Sequence, residues 1–336
     1  MSDADWTEPG AHRVDEGVHR IPLPLPLDGL RAVNVYAVET EDGLTLVDGG
    51  WAVEGARDQL GAALAGIGHR VADVTRILVT HAHRDHYTQA VAVRREVGAH
   101  VSLGVGDRAS LALTADPDGP DPFVPQLLRA GAVDLARSWS SYVDGAERLD
   151  PRDWEPPDAW LDGDQRLTVG SRTLDAVATP GHTRGHFVFA DVAAGLLFAG
   201  DHVLPTITPS IGFEPAAADQ PLGAFLTSLA RVRELPDLRL LPAHGAVGMS
   251  SHARVDELVA HHEQRLDQCL AAVRSGARTA LAVAAALPWT RHQKSLSDLG
   301  TFDAALAVME TLAHLELLAA RAVVGRVEED GVRVYA

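Results

Sequence analysis

The sequence predicts an α/β protein: an αβ/βα sandwich of two strand-rich halves, followed by a mostly helical, winged-helix-like C-terminal region. Three observations carry this. Over the first 250 residues, short apolar runs bounded by turn residues alternate with helical periodicities, in two similar halves. Four of those runs end in histidine or aspartate, at the sheet rim where α/β proteins place their chemistry. Beyond residue 250 the pattern changes to amphipathic helices closed by a hairpin signal.

The elements follow in order. Val18 to Pro24 and Val33 to Glu39 read as strands, and the turn Glu41-Asp42-Gly43 leads into Leu44 to Asp48, a hairpin. Gly49-Gly50 releases the chain into a helix near Val53–Ile67, with Leu60, Leu64 and Ile67 at helical spacing. The buried strand Ile77-Leu78-Val79 comes next, then a helix from Thr88 to Val97 and a strand at His100–Leu103. Residues 115–165 change character. They hold the turn-rich run Asp116 to Pro122, a helix from Leu127 to Tyr142 and an irregular Pro151–Pro157, and read as an insertion or lid. Strands resume at Leu167–Val169, Thr173–Ala178, Phe187–Ala190 and Leu196–Ala199. Helix Leu222–Leu235 and strand Leu238–Leu241 follow. In residues 251–336, Val255, Leu258, His262, Leu266, Cys269 and Val273 mark one face of a long helix. Helices near Ala280–Leu287 and Phe302–Leu318 follow, then a hairpin of Val323–Val327 and Val332–Tyr335.

Composition removes several function classes. With 29 basic and 46 acidic residues the formal charge is −17, which argues against a nucleic-acid partner, since phosphate backbones are held by Lys and Arg. The winged-helix-like region itself carries nine Arg/Lys against eleven Asp/Glu, which favours a structural or homodimerisation role over DNA binding. Lys294 is the single lysine, so Schiff-base chemistry is not expected. Cys269 is the single cysteine, which excludes an internal disulfide and a multi-thiolate metal site. No run of about 18 apolar residues spans a membrane. The acidic start Met1 to Asp5 lacks an export pattern, so the expected location is the cytoplasm.

The chemistry concentrates in Thr80-His81-Ala82-His83-Arg84-Asp85-His86, four potential ligands within six residues directly after a strand. Neutral imidazole and carboxylate oxygen suit zinc, iron or manganese. Three later strand ends each add one His or Asp beside glycine or proline. They are Thr179-Pro180-Gly181-His182-Thr183, Gly200-Asp201 and Pro242-Ala243-His244-Gly245.

In this order, over roughly residues 15–250, the motifs resemble the metallo-β-lactamase-fold hydrolases. The resemblance implies a catalytic domain over 1–250, with 251–336 placing the chain near the branch that carries a C-terminal winged helix. It implies two divalent ions, zinc first with iron or manganese also fitting. His81, His83 and His182 would hold one ion, Asp85, His86 and His244 the other, and Asp201 would bridge them. Two ions about 3.5–4 Å apart share a water and lower its pKa. The bridging hydroxide would then attack a thioester, ester or lactone, with Asp85 orienting it and moving its proton. Two departures stand out: Tyr87-Thr88-Gln89 follows the first motif where many members have glycines, and the cysteine ligand of many β-lactamases of this fold is missing. Tyr87, His186, His202, Leu204 and Ile207 are the candidate pocket residues, with other readings open: Tyr87 as helix packing, His186 as a support for the Pro-Gly-His loop or plain core packing, His202 as solvated, and Leu204 and Ile207 as part of an ordinary connecting loop. His261 and His262 read as surface and interface residues, and His314 has no partner pattern. Three rivals remain: a metal-dependent endoribonuclease of the same fold, a mononuclear iron persulfide dioxygenase, and a non-enzymatic binding module.

Overall fold

Apolar alternation in the first half builds one seven-stranded sheet. The computed structural model describes residues 5–26, 29–116, 118–145 and 150–336. Met1 to Ala4 of the acidic start, and residues 117 and 146–149 of the 115–165 segment, lie outside the described residues. The strands are β1 (His12–Asp15), β2 (Val18–Pro24), β3 (Ala32–Thr40) and β4 (Gly43–Val47). Helix α1 (Ala56–Ala65), β5 (Val74–Leu78), α2 (Arg84–Val97) and β6 (His100–Gly104) follow. Then come α3 (Arg108–Thr114), α4 (Val124–Arg129), α5 (Val133–Asp144) and β7 (Ala159–Leu161). They order as β1-β2-β3-β4-β5-β6-β7, antiparallel up to β4 and parallel from β4 to β7.

The second half contributes β8 (Gln165–Val169), β9 (Arg172–Ala178), β10 (Phe187–Asp191), β11 (Leu196–Gly200), α6 (Pro221–Glu234) and β12 (Arg239–Pro242). Its sheet runs β12-β11-β10-β9-β8, parallel only between β11 and β12. The two sheets face each other across a core that includes Tyr36, Val38, Leu78, Leu174, Phe189, Phe198 and Leu241. The outer face of the first sheet packs on α1 and α2 through Leu23, Val35, Leu46, Leu60, Leu64 and Val91. The result is the expected αβ/βα sandwich.

The strand His12–Asp15 and the helix Arg108–Thr114 add to the sequence reading, and the first strand of the final hairpin, expected at Val323–Val327, lies at Arg326–Glu329. Three further differences have a local reason. Helix α2 begins at Arg84 rather than Thr88, so Asp85 sits in its first turn, where the helix dipole favours a carboxylate. The single helix expected over Leu127–Tyr142 is two, because Gly131 adopts φ 79°, a left-handed value that ends α4. Within 115–165, Ala159–Leu161 forms an edge strand parallel to β6, too short to show a period.

The C-terminal region consists of α7 (Ser251–Arg274), α8 (Ala280–Ala286), α9 (Thr301–Ala320) and the hairpin β13 (Arg326–Glu329) with β14 (Val332–Tyr335). It shares one core with the second sheet: Val188, Leu197, Phe225, Leu229, Leu258, Val308 and Leu315 belong to a single cluster. Segment α4–α5 docks there too, through Phe123, Trp139, Phe213 and Phe302, whose rings pack with centroids 4.3–6.1 Å apart. The hairpin is tied to α9 by Glu316, which is buried and accepts from Tyr335 Oη, Arg326 and Arg333.

Candidate metal centre

Every strand-end residue singled out by the sequence arrives at one rim of the sandwich. The loop after β5 carries His81 and His83, and the first turn of α2 carries Asp85 and His86. His182 lies on the loop between β9 and β10, Asp201 directly follows β11, and His244 lies just beyond β12. At the end of β11, Gly200 takes φ 51°, and a Cβ there would come within 2.7 Å of both His186 Nε2 and Thr80 Oγ1. Only glycine allows the chain to turn Asp201 inward at this point.

Two donor groups result. His81 Nε2, His83 Nδ1 and His182 Nε2 stand 3.0–3.2 Å from one another. His244 Nε2 is 3.3 Å from Asp85 Oδ2, and His86 Nε2 is 3.7 Å from it. Asp201 lies between them. Its Oδ2 is 3.6 Å from His182 Nε2, while Oδ1 is 3.3 Å from His244 Nε2 and 3.6 Å from His86 Nε2.

The hydrogen bonds on the far side of the rings fix which nitrogen is bare. His182 Nδ1 donates to the Ser210 carbonyl and His244 Nδ1 to the Ala32 carbonyl, both at 2.8 Å. His86 Nδ1 donates to Asp48 Oδ2 at 2.9 Å. In the neutral rings Nε2 is then left as a lone pair aimed inward, the arrangement that metal-bound imidazoles show. His86 Nε2, His244 Nε2 and Asp201 Oδ1 are buried without any hydrogen-bond partner among the described residues. Orphaned polar atoms of this kind are costly unless something binds them. The donor set therefore fits divalent cations.

Electrostatics agrees with geometry. Burial first, then the neighbouring imidazoles, holds His81 far below its ordinary range; burial and His182 hold His83 down to about 3. Burial likewise lowers His182 to about 4. The other group is reversed. Burial pushes His86 down, but Asp48, Asp85 and Asp201 outweigh it and lift the ring to about 10. Burial also opposes His244, which Asp201 and Asp85 raise. Burial would raise Asp85, yet His86 and His244 together keep it below the usual carboxylate range. Two inward carboxylates, Asp85 and Asp201, with Asp48 behind the His86 ring, thus demand positive charge at this point.

Two supports of the site, Asp48 and Asp107, carry no role in the sequence reading. Asp48, at φ 62° past β4, accepts from Thr80 N at 2.7 Å and from Thr80 Oγ1 as well as from His86. Asp107, after β6, accepts from Ala82 N (2.8 Å), Gly185 N (2.7 Å) and Thr183 Oγ1 (3.2 Å), joining the His81 and His182 loops. Burial pushes Asp107 up to about 6. Burial, then Asp107, pushes the nearby Glu214 up to about 8. The signal for Asp48 was present: an aspartate at a strand end before Gly49-Gly50.

Several candidate pocket residues are placed elsewhere. Tyr87 is fully buried in the first sheet's outer core, stacked toward Trp154, with its hydroxyl donating to the Glu155 carbonyl. Its side chain leaves α2 on the face that packs on the core. His186 is buried and supports the site instead, accepting from Asp201 N at 3.2 Å and paired with Thr179 Oγ1 at 2.9 Å. The His202 ring is buried against Phe225 with centroids 4.9 Å apart. Leu204 is buried and Ile207 is 41% exposed, and both present their carbonyls to Arg254. A cavity of about 270 Å³ adjoins the His182 loop, lined by Pro180, Gly181, Arg184, Glu214, Gln220 and Pro221 among others.

The family model described as the metallo-beta-lactamase superfamily matches residues 28–244, the span that holds all seven donors. The chain belongs to this superfamily. Two solved superfamily structures align over nearly the whole chain. A metallo-beta-lactamase family protein from Thermus thermophilus has TM-score 0.78 and 28% identity, covering 96% of this chain and 99% of that one. A beta-lactamase domain protein from Burkholderia ambifaria has TM-score 0.78 and 26% identity, covering 99% and 97%. The C-terminal helices are therefore included in both alignments. Among curated relatives, the lactamase-like protein vrtG of Penicillium aethiopicum is 35% identical over 136 residues, 40% of this chain and 39% of that protein. The atrochrysone carboxyl ACP thioesterase AacuM of Aspergillus aculeatus is 29% identical over 143 residues, 43% and 42%. The chain thus spans about two fifths of the length of these two relatives. Among the described residues no helix is long and apolar enough to cross a membrane.

Proposed function

We propose that this chain is a dinuclear metal-dependent hydrolase of a small carboxylic thioester, ester or lactone. One observation carries the reading: Asp201 turns one carboxylate oxygen toward each donor group. His81, His83 and His182 would hold one ion, and Asp85, His86 and His244 the other, zinc being the first choice for such N/O donors. Bound there, two divalent ions would supply Lewis acidity to an acyl oxygen and acidify water. Asp85, held as a carboxylate by His86 and His244, accepts the proton released as water attacks. His186 and Asp48 keep Asp201 and His86 in place through the hydrogen bonds given above.

The thioester arm is supported by the likeness to the AacuM thioesterase, and the formal charge of −17 speaks against the ribonuclease reading. The convergence of Asp85, His86 and His244 speaks against a mononuclear site that would leave them idle. The test is a hydrolysis screen over acyl-CoA thioesters, lactones, a β-lactam and RNA, with metal content measured in the same sample. Thioester or lactone turnover that disappears on chelation, and in Asp201→Asn and His83→Ala, is expected. Full turnover by metal-depleted protein sinks the proposal, and RNA as the best substrate moves it to the ribonuclease reading.

A further inference from the structure

A second group of donors lies between α7 and α9, apart from the centre described above. His261 and His262 come from α7. Glu310 and His314 come from α9, where residues four apart share a face. His262 and His314 are fully buried, which corrects the surface reading of His262 and gives His314 a partner. His314 Nδ1 lies 2.7 Å from the Glu310 carbonyl, which can only accept, so the ring proton is on Nδ1 and Nε2 holds a lone pair. That lone pair is 3.2 Å from His262 Nδ1, which must donate to it. His262 Nε2 is then a bare lone pair as well, buried, with no hydrogen-bond partner among the described residues. On the same two helices, one donor atom from each of His261, His262 and Glu310 lies within 4.8 Å of the others.

A packed histidine pair does not account for this. A core pair would satisfy both nitrogens of His262, because an orphaned buried acceptor gives up its hydration with no hydrogen bond in return. We infer that His261, His262 and Glu310 form a separate transition-metal site, with His314 fixing the tautomer of His262. Two imidazoles and a carboxylate suit Zn²⁺, Co²⁺ or Ni²⁺, with water completing the shell. Donors on facing helices are the usual way a helical bundle builds such a site. His261 is half-buried and gives solvent access. The Phe225 ring packs on both His262 and His202, the neighbour of Asp201 in sequence, with centroids 5.4 Å and 4.9 Å away. An ion here would cross-link α7 to α9.

The test uses the full chain, stripped with chelator and dialysed against excess Zn²⁺ near neutral pH. Glu310→Gln and His261→Asn are the variants, since neither side chain is fully buried. Each is expected to hold one equivalent fewer than the unmutated protein, with an unchanged far-ultraviolet circular dichroism spectrum. The count is a difference, so it is independent of how many ions the other centre holds. Zinc-edge anomalous diffraction from unmutated crystals is expected to show a peak between residues 261–262 and 310. Equal equivalents in folded variants, or anomalous peaks confined to the His81–His244 donors, overturn the inference.

Discussion

Replacing Asp48 by Asn would test whether the support beneath the metal centre controls it. Asn is nearly isosteric and tolerates the left-handed φ of 62°, so the backbone is not the variable. The change is in donor count. Asp48 Oδ1 accepts from Thr80 N at 2.7 Å and Oδ2 accepts from His86 Nδ1 at 2.9 Å, in a position 2% exposed. An amide has one oxygen. With that oxygen toward Thr80, its NH₂ meets His86 Nδ1–H, and two donors confront each other. The ring escapes by moving its proton to Nε2, the nitrogen aimed at Asp85 and Asp201, and can then no longer bind an ion. With the amide flipped, Thr80 N–H is the orphan. A lost hydrogen bond to a charged group is worth about 1.5–3 kcal/mol, and metal-centre supports of this kind are worth about 10–100-fold in affinity. The expected loss is therefore about 1.4–2.8 kcal/mol of binding free energy for the ion at His86. Competition against a chelating dye, with thermal unfolding of the metal-free protein alongside, measures it. A folded variant with affinity within about threefold of the original refutes the tautomer argument.

Three other perturbations give separate expectations. In metal-free protein, Glu214 is raised to about 8, above its unfolded value, so the folded state keeps a proton that the unfolded state releases. Stability is then complete below the ordinary glutamate range and falls as pH rises toward 8, by up to ~1.4 kcal/mol per pH unit. Glu214→Gln should flatten that decline above about pH 6, where Asp107 has already titrated; parallel urea-unfolding curves for the two proteins would count against it. Gly106→Ala would set a Cβ 2.2 Å from the Arg184 carbonyl oxygen, a backbone atom that cannot swing away. A loss of about 1–3 kcal/mol in urea unfolding is expected, with weaker metal binding as the His182 loop is displaced; a neutral result means the loop yields freely. Glu316→Leu orphans the buried Tyr335 hydroxyl and two arginines. About 2–3 kcal/mol of destabilisation should follow, with hydrogen-exchange protection lost first over 326–335; unchanged protection there shows that apolar packing alone holds the hairpin.

Most sheet strands, though not the edge strands His12–Asp15 and Ala159–Leu161, were legible because their apolar runs are bounded by turn residues. Val18–Pro24 and Val332–Tyr335 match their predicted limits, and Phe187–Asp191 extends its own by one residue. The seven donors were legible because each directly follows such a run or lies one turn beyond it. What the sequence hides are the groups that face the donors from elsewhere in the chain. Asp107 serves Ala82 and Gly185, 25 and 78 positions away, and no periodicity links such positions. Of the two readings open for Tyr87, pocket lining and helix packing, the burial of its ring fits the second. A residue next to a ligand on a helix is rotated about 100° away from it, so adjacency to His86 sends Tyr87 into the core. His262 and His314 are 52 positions apart and meet only once α9 folds back on α7.

The seven donors are shared between the two sheets, four reaching the rim from the first and three from the second. Each of the two donor groups draws on both. Neither half of the chain, folded alone, contains a complete shell for even one ion. Hydrogen bonds also cross the seam: Phe187 N–H donates to the Thr80 carbonyl, and the Asn34 side-chain Nδ2 donates to the carbonyls of Pro242 and Gly245. Ions that bind only the docked halves act by mass action as an adhesive between them. Metal supply would then govern how long the finished sandwich survives, as well as whether it turns over substrate. A chain cut in the loop between the sheets would be expected to reassemble more readily when ions are present.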